Sequence, residues 1–206
     1  VATAFIENGM YDHALVFGAE TLSTITNYKD RTSCILFGDG AGVVLLEAEE
    51  NSDRGVLYSS LHADGRNWQT LNCQAYGSRN PVGKKLDDPN KIYMEIIGRE
   101  TYQLAVRRIV EMIEESYGRC GISNDDIAMI IPHQMNSRII ESVVKRLKLP
   151  AEKMFINIDK YGNTSSASIA IALDEAIREE RVKKGDLVVL VSFGAGLTWG
   201  VNLIKL

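Results

Sequence analysis

What this sequence lacks narrows its function before any motif is read. No apolar run approaches the roughly 20 residues of a membrane-spanning helix, so no membrane association is expected. A basic surplus is missing too: the net charge is −4 and the sequence pI about 5.5, which disfavours wholesale nucleic-acid binding. Cysteine is scarce and unpaired in number. Cys34, Cys73 and Cys120 have no metal-ligand spacing, so neither a disulfide framework nor a metal centre is expected. That usage fits a reducing, cytoplasmic compartment, and no secretory leader is visible. Gly38–Gly42 is glycine-rich without the G-x-G-x-x-G spacing and without a following Gly-Lys-Ser/Thr, so it reads as a bend between two strands and not as a phosphate cradle. The chain also lacks an initiating methionine. VATAFIENG reads as the tail of a helix with no capping residue before it and Gly9 as its C-cap, so the chain is expected to begin inside a longer protein.

What is present is ordinary globular material: 206 residues, 45% hydrophobic and 24% charged, enough for a sizeable core. The pattern predicts strands at 13–17, 34–37, 43–47 and 55–61, then a long loop over 66–91. Tyr93–Tyr117 is the longest predicted helix, with Ile96, Ile97, Tyr102, Ala105, Ile109 and Ile113 at helical spacing. A strand over 127–131, a helix over 137–148, a short strand over 155–158 and an Ala/Ile-rich helix over 165–180 follow. Strands at 187–191 and 200–206 close the chain. Cys34-Ile-Leu-Phe-Gly-Asp-Gly echoes Leu190-Val-Ser-Phe-Gly-Ala-Gly, with Phe37-Gly38-x-Gly40 aligned on Phe193-Gly194-x-Gly196. The fold class is therefore read as α/β with two copies of one unit. Residues 1–54 form the remnant of a truncated first half, and 55–206 a complete second half.

The chain is organised around Asp126–Arg138. Its uncharged run ends at Pro132, which cannot donate to a sheet ladder, and His133 follows at the C-terminal mouth of a buried strand. Open α/β sheets place their chemistry there. A lone histidine is commonly a satisfied structural residue. Here an amide, Asn163, stands at another strand-to-helix junction, and a Gly-rich turn, Phe193-Gly-Ala-Gly196, follows a third strand. A base, an amide and exposed backbone N–H groups at three strand ends make an acyl-transfer site.

Four motifs, Pro132-His-Gln-Met-Asn-Ser-Arg138, Tyr161-Gly-Asn-Thr-Ser-Ser-Ala-Ser168, Phe193-Gly-Ala-Gly-Leu-Thr-Trp-Gly200 and Phe37-Gly-Asp-Gly-Ala-Gly42, together resemble the β-ketoacyl-acyl-carrier-protein synthase III family. These are thiolase-fold condensing enzymes, and the resemblance runs from Val1 to Leu206 in the family's order. It implies duplicated α/β/α layers and a Cys-His-Asn site with His133 and Asn163 in the last two roles. The nucleophilic cysteine would precede Val1. It also implies an oxyanion-hole N–H at Ala195, where the family has glycine. Arg31 would lie near the adenine end of coenzyme A. Gly98, Tyr102, Asn136 and Phe193 would line the pantetheine tunnel, and Arg138, Lys145 and Arg146 would greet an acidic carrier protein. Gln103 departs from an expected lysine, and Met135 stands where a small residue is common. The implied reaction condenses an acyl-CoA primer with malonyl-acyl carrier protein in a homodimer, with coenzyme A as substrate and no resident cofactor. Two other readings stay open: a related synthase loading starters for polyketide-type pathways, and a non-catalytic thioester-binding relic.

Overall fold

The computed structural model describes residues 1–50 and 52–206. In chain order the helices and strands are α1 (Ala2–Glu7), β1 (His13–Thr21), β2 (Asp39–Glu47), β3 (Gly55–Ala63), β4 (Leu71–Cys73) and β5 (Met94–Ile96). After them come α2 (Gly98–Cys120), β6 (Ile127–Pro132), α3 (Ser137–Leu147), α4 (Ile158–Tyr161), α5 (Ser168–Arg178), β7 (Leu187–Gly194) and β8 (Thr198–Lys205).

The period-2 pattern of the last strands divides the core in two. Ile130, Val189, Val191, Val201 and Leu203 face one way and pack on α2 and α3, through Ile109, Met112, Ile113, Ile140 and Val143. Met129, Ile131, Val188, Leu190 and Ile204 face the other way, onto Ala172, Leu173 and Ala176 of α5. The sheet order is β3-β8-β7-β6, with β6 parallel to β7 and the other pairs antiparallel. β6 and β7 are thus covered on both faces, which is why their sequences carry no charge between Ile127 and Pro132 or between Leu187 and Gly194.

β1 and β2 form a separate antiparallel pair lying across α5. The structure here corrects the expected bend. β2 runs straight through Gly40 and Gly42, and β1 continues past Gly18 to Thr21. These glycines let strand and helix backbones touch. A Cβ on Gly42 would lie 2.7 Å from the Ala170 Cβ, and one on Gly18 would lie 2.5 Å from the Ser166 carbonyl carbon. The other face of the pair is bare: Leu15 opposes Leu45 and Phe17 opposes Val43, with Phe17 74% exposed. An apolar patch of this kind marks a surface made to be covered.

Other expected boundaries also moved. Cys34–Leu36 lies in a turn and Phe37 makes only an isolated bridge, so Cys34 is not in a strand. The region expected as one long loop contains β4, and Met94–Ile96 pairs with it, so α2 starts at Gly98. Ile96 and Ile97 fit helical spacing, but Ile96 pairs with Leu71 across the strands. Phe155–Ile158 is not a strand: Met154 bridges Ile130 alone, and the chain then turns into α4. Pairing also shifts the internal echo. Phe17-Gly18-Ala19 of β1, with Phe17 opposite Val43, matches Phe193-Gly194-Ala195, with Phe193 opposite Trp199. Phe37-Gly38 lies outside both strand pairs.

Candidate active site

β6 delivers His133 as expected. The His133 N–H donates to the Val191 carbonyl at 2.8 Å, carrying the pairing one residue past Pro132. The ring is buried, 8% exposed, and its Nδ1 lies 2.6 Å from the Ser168 hydroxyl. Gln134 locks the following turn. Its buried amide donates to the Pro132 and Phe155 carbonyls at 2.9 and 3.2 Å, and its Oε1 accepts from the Asn157 N–H at 3.0 Å. Asn157 in turn donates to Glu175, which Lys160 also holds. The His133 turn is thereby tied to α4 and α5.

Asn163 sits just beyond α4 and is clamped by the segment leading into β2. Its N–H donates to the Leu36 carbonyl at 2.7 Å, and its carbonyl accepts from the Gly38 N–H at 3.0 Å. The approach is possible only for glycine, since a Cβ on Gly38 would lie 2.0 Å from the Tyr161 carbonyl oxygen. The Asn163 Oδ1 accepts from the Ser165 N–H at 2.9 Å. That bond fixes the carboxamide and leaves its Nδ2 as a donor with no partner among the described residues. Ser165 holds a left-handed φ of 49°, a strained conformation of the kind that persists where its surroundings over-determine it. Its N–H serves Asn163, and its carbonyl lies 2.9 Å from the Ser168 hydroxyl that also meets His133. One short segment therefore joins the two predicted groups.

Burial pushes the His133 pKa down from an ordinary 6.5 to about 4. The ring is therefore neutral at neutral pH and carries a single N–H. The unfolded chain takes up this proton below pH 6.5, whereas the folded chain resists it down to about pH 4. The corresponding stability is present above 6.5 and is lost as the pH falls through that window, by about 3 kcal/mol. Urea midpoints of the full-length protein measured between pH 7.5 and 4.5 should fall more steeply for the wild type than for His133→Asn. Equal slopes would show that the histidine is not held neutral.

The remaining expected residues are placed as follows. Ala195 lies exposed just after β7, and the left-handed backbone falls on Gly196, φ 135°, so alanine at 195 carries no strain of that kind. Phe193 is a core residue stacked on Trp199. The Tyr102 hydroxyl meets Ser142 of α3 at 2.5 Å. Asn136 is the N-cap of α3, accepting from the Arg138 N–H at 2.9 Å. Gly98 opens α2, and Arg31 lies exposed in the turn before Phe37. Arg138, Lys145 and Arg146 are exposed on α3, whose inner face is Ile139, Ile140, Val143 and Leu147, and none has an ion-pair partner among the described residues. Sequence reasoning missed Gln134, Ser165 and Ser168; the Ser-Ser-x-Ser run after Asn163 was the signal for the two serines. No helix among the described residues is long and apolar enough to cross a membrane. No cluster of three or more His, Cys, Asp or Glu side chains among them could hold a metal ion.

Comparison with known proteins gives the family. A family model described as 3-oxoacyl-[acyl-carrier-protein] synthase III matches residues 1–65, and its C-terminal counterpart matches residues 118–206. The chain is 51% identical over its whole length to beta-ketoacyl-[acyl-carrier-protein] synthase III of Caldanaerobacter subterraneus subsp. tengcongensis, covering 62% of that protein. Among solved structures, that of the Thermus thermophilus synthase III superposes with a TM-score of 0.90 at 38% identity, over all of this chain and 62% of that one. The Aquifex aeolicus synthase III gives 0.88 at 39%, over 98% and 61%. These likenesses carry the thiolase fold, and the chain spans about three fifths of its relatives' length. With both family models matched and the fold shared, the chain belongs to the 3-oxoacyl-[acyl-carrier-protein] synthase III family.

Proposed function

We propose that this chain carries the enolate-stabilising part of a synthase that condenses an acyl-CoA primer with malonyl-acyl carrier protein, the step that starts a fatty-acid chain. One observation carries the reading: a neutral imidazole and a fixed carboxamide, from different loops, are joined through Ser165 and Ser168 at the mouth of one sheet. When a malonyl thioester loses carbon dioxide, the electron pair of the breaking C–C bond passes into an enolate, and charge develops on the thioester oxygen. The His133 Nε2–H and Asn163 Nδ2–H groups are the donors for that oxygen. The resulting carbanion attacks the acyl group on the enzyme's cysteine, and the thiolate leaves as the 3-oxoacyl product forms. The Ala195 N–H would serve the oxygen of that tetrahedral intermediate.

The nucleophile in this reading lies outside Val1–Leu206. Cys120 ends α2 at the opposite end of the sheet from His133, Cys73 bonds the Ile92 carbonyl within β4, and Cys34 sits in a turn. Residues 1–54 belong to a first thiolase-like half and 55–206 to the second. Support comes from the matched strand pairs β1–β2 and β7–β8, and from the bare Leu15/Phe17/Val43/Leu45 face, which stands where the second half carries α2 and α3. Arg31, Gly98, Tyr102 and Asn136 would position the pantetheine arm, and Phe193, buried in the core, would only back the tunnel wall. The unpaired cations Arg138, Lys145 and Arg146 would meet the acidic carrier, and the enzyme would work as a cytoplasmic homodimer. Incubating the full-length protein with acetyl-CoA and mapping the adduct tests the assignment. The expected acetyl group is on a cysteine outside these 206 residues and is discharged by malonyl-acyl carrier protein as a 3-oxoacyl thioester. An acetyl group on Cys34, Cys73 or Cys120, or no adduct, would contradict it.

A further inference from the structure

A neutral imidazole can donate from Nε2 only if its proton is not on Nδ1, so a buried site of this kind needs something to choose the tautomer. Around the His133 Nδ1, the hydrogen-bonding partner is the Ser168 hydroxyl at 2.6 Å. That hydroxyl has one proton and two acceptors in reach, Nδ1 and the Ser165 carbonyl at 2.9 Å. The carbonyl is already served by the backbone N–H of Ser168. The oxygen of the hydroxyl has its own donor, the buried Gln134 N–H at 3.4 Å. Buried backbone N–H groups are nearly always paired, and among the described residues this one has no other acceptor. The arrangement that serves every group runs from Gln134 N–H to Ser168 Oγ, and from Ser168 O–H to His133 Nδ1.

We infer that Ser168 is a positioning residue that donates its hydroxyl proton to Nδ1 and so holds His133 with its proton on Nε2, aimed at the substrate oxygen. This rests on the enolate-stabilising reading and adds to it the element that sets the histidine's protonation pattern. It also explains why a serine occupies the first position of α5, among Ala167, Ile169 and Ala170, with its side chain buried. Since Ser165 stands between Asn163 and Ser168, the strained turn places both donors through one backbone unit.

The test is nitrogen-15 NMR of the full-length protein labelled at histidine, at neutral pH. The His133 ring should show a protonated Nε2 and a bare, hydrogen-bonded Nδ1. A proton on Nδ1 in the wild type would overturn the inference, with no variant needed. Ser168→Ala should release the ring into exchange between tautomers. It should also lower kcat for malonyl-thioester decarboxylation about tenfold, the scale of one lost hydrogen bond, with KM within about twofold. Ser168→Thr, which keeps the hydroxyl, should restore both; a Ser168→Ala protein with a fixed Nε2–H tautomer and normal kcat would also overturn it. The two readings fail separately. Unchanged decarboxylation in His133→Ala removes the enolate role whatever the tautomer. Loss of decarboxylation in His133→Ala, together with a fixed Nε2–H tautomer and normal kcat in Ser168→Ala, removes only the role of Ser168.

Discussion

His133→Ala in the full-length protein is expected to slow decarboxylation of a malonyl thioester by about 10²–10³-fold, the usual cost of losing one oxyanion donor. Asn163→Ala should cost about as much, because in the proposed mechanism each residue supplies one of two donors to the same oxygen. Asn163→Asp should be worse than either. A carboxylate could still accept the Ser165 N–H that now meets Oδ1, but it would face the developing oxyanion with a like charge where the proposed mechanism needs the Nδ2–H. Steady-state carbon dioxide release, with circular dichroism as the folding control, separates lost catalysis from lost structure. His133→Ala removes a partner of the buried Ser168 hydroxyl, a stability cost of about 1–3 kcal/mol. A stable variant that still decarboxylates at the wild-type rate would dismiss the enolate role.

The second large effect lies outside the chemistry. Gly38→Ala is expected to destabilise the full-length protein by roughly 3 kcal/mol or more, through backbone overpacking together with weakened hydrogen bonds. The new Cβ would lie 2.0 Å from the Tyr161 carbonyl oxygen and 3.1 Å from its carbon, and neither is the end of a flexible side chain. The 161–163 segment must move, and with it go the Gly38-to-Asn163 and Asn163-to-Leu36 backbone bonds. Activity should fall with stability because Asn163 is displaced. Gly77→Ala is the control: a Cβ there meets nothing within 4 Å, so its urea midpoint should match the wild type. Equal midpoints for both variants would show that the close packing at Gly38 is not rigid.

These two positions also mark what was legible in the sequence. His133 could be placed because an uncharged run that ends in proline has few readings besides a buried strand with a mouth. Asn163 could be placed only in a turn, because Tyr-Gly-Asn-Thr-Ser-Ser is dense in residues that turn a chain; the strand expected before it is replaced by α4. Gly38–Gly42 could not be read correctly from the same logic. Glycine marks a bend when it supplies a positive φ and a close approach when it omits a Cβ, and only the distant neighbours Tyr161, Thr164 and Ala170 decide between them. The α2 boundary was missed because Ile96 and Ile97 suit a helix face as well as they suit β5. Ser168 was passed over because a serine in an Ala/Ile-rich helix looks incidental until His133, 35 positions away, is seen against it.

The family assignment rests on the whole chain, but the mechanism rests on one contact geometry that a bound substrate would reveal. The most direct measurement is a crystal structure of the full-length protein with a non-decarboxylating malonyl-thioester analogue. The thioester oxygen is expected about 2.7–3.1 Å from both the His133 Nε2 and the Asn163 Nδ2, with the carboxylate pointing away from both. A carboxylate seated on His133, or a thioester oxygen beyond hydrogen-bond reach of Asn163, would contradict the account.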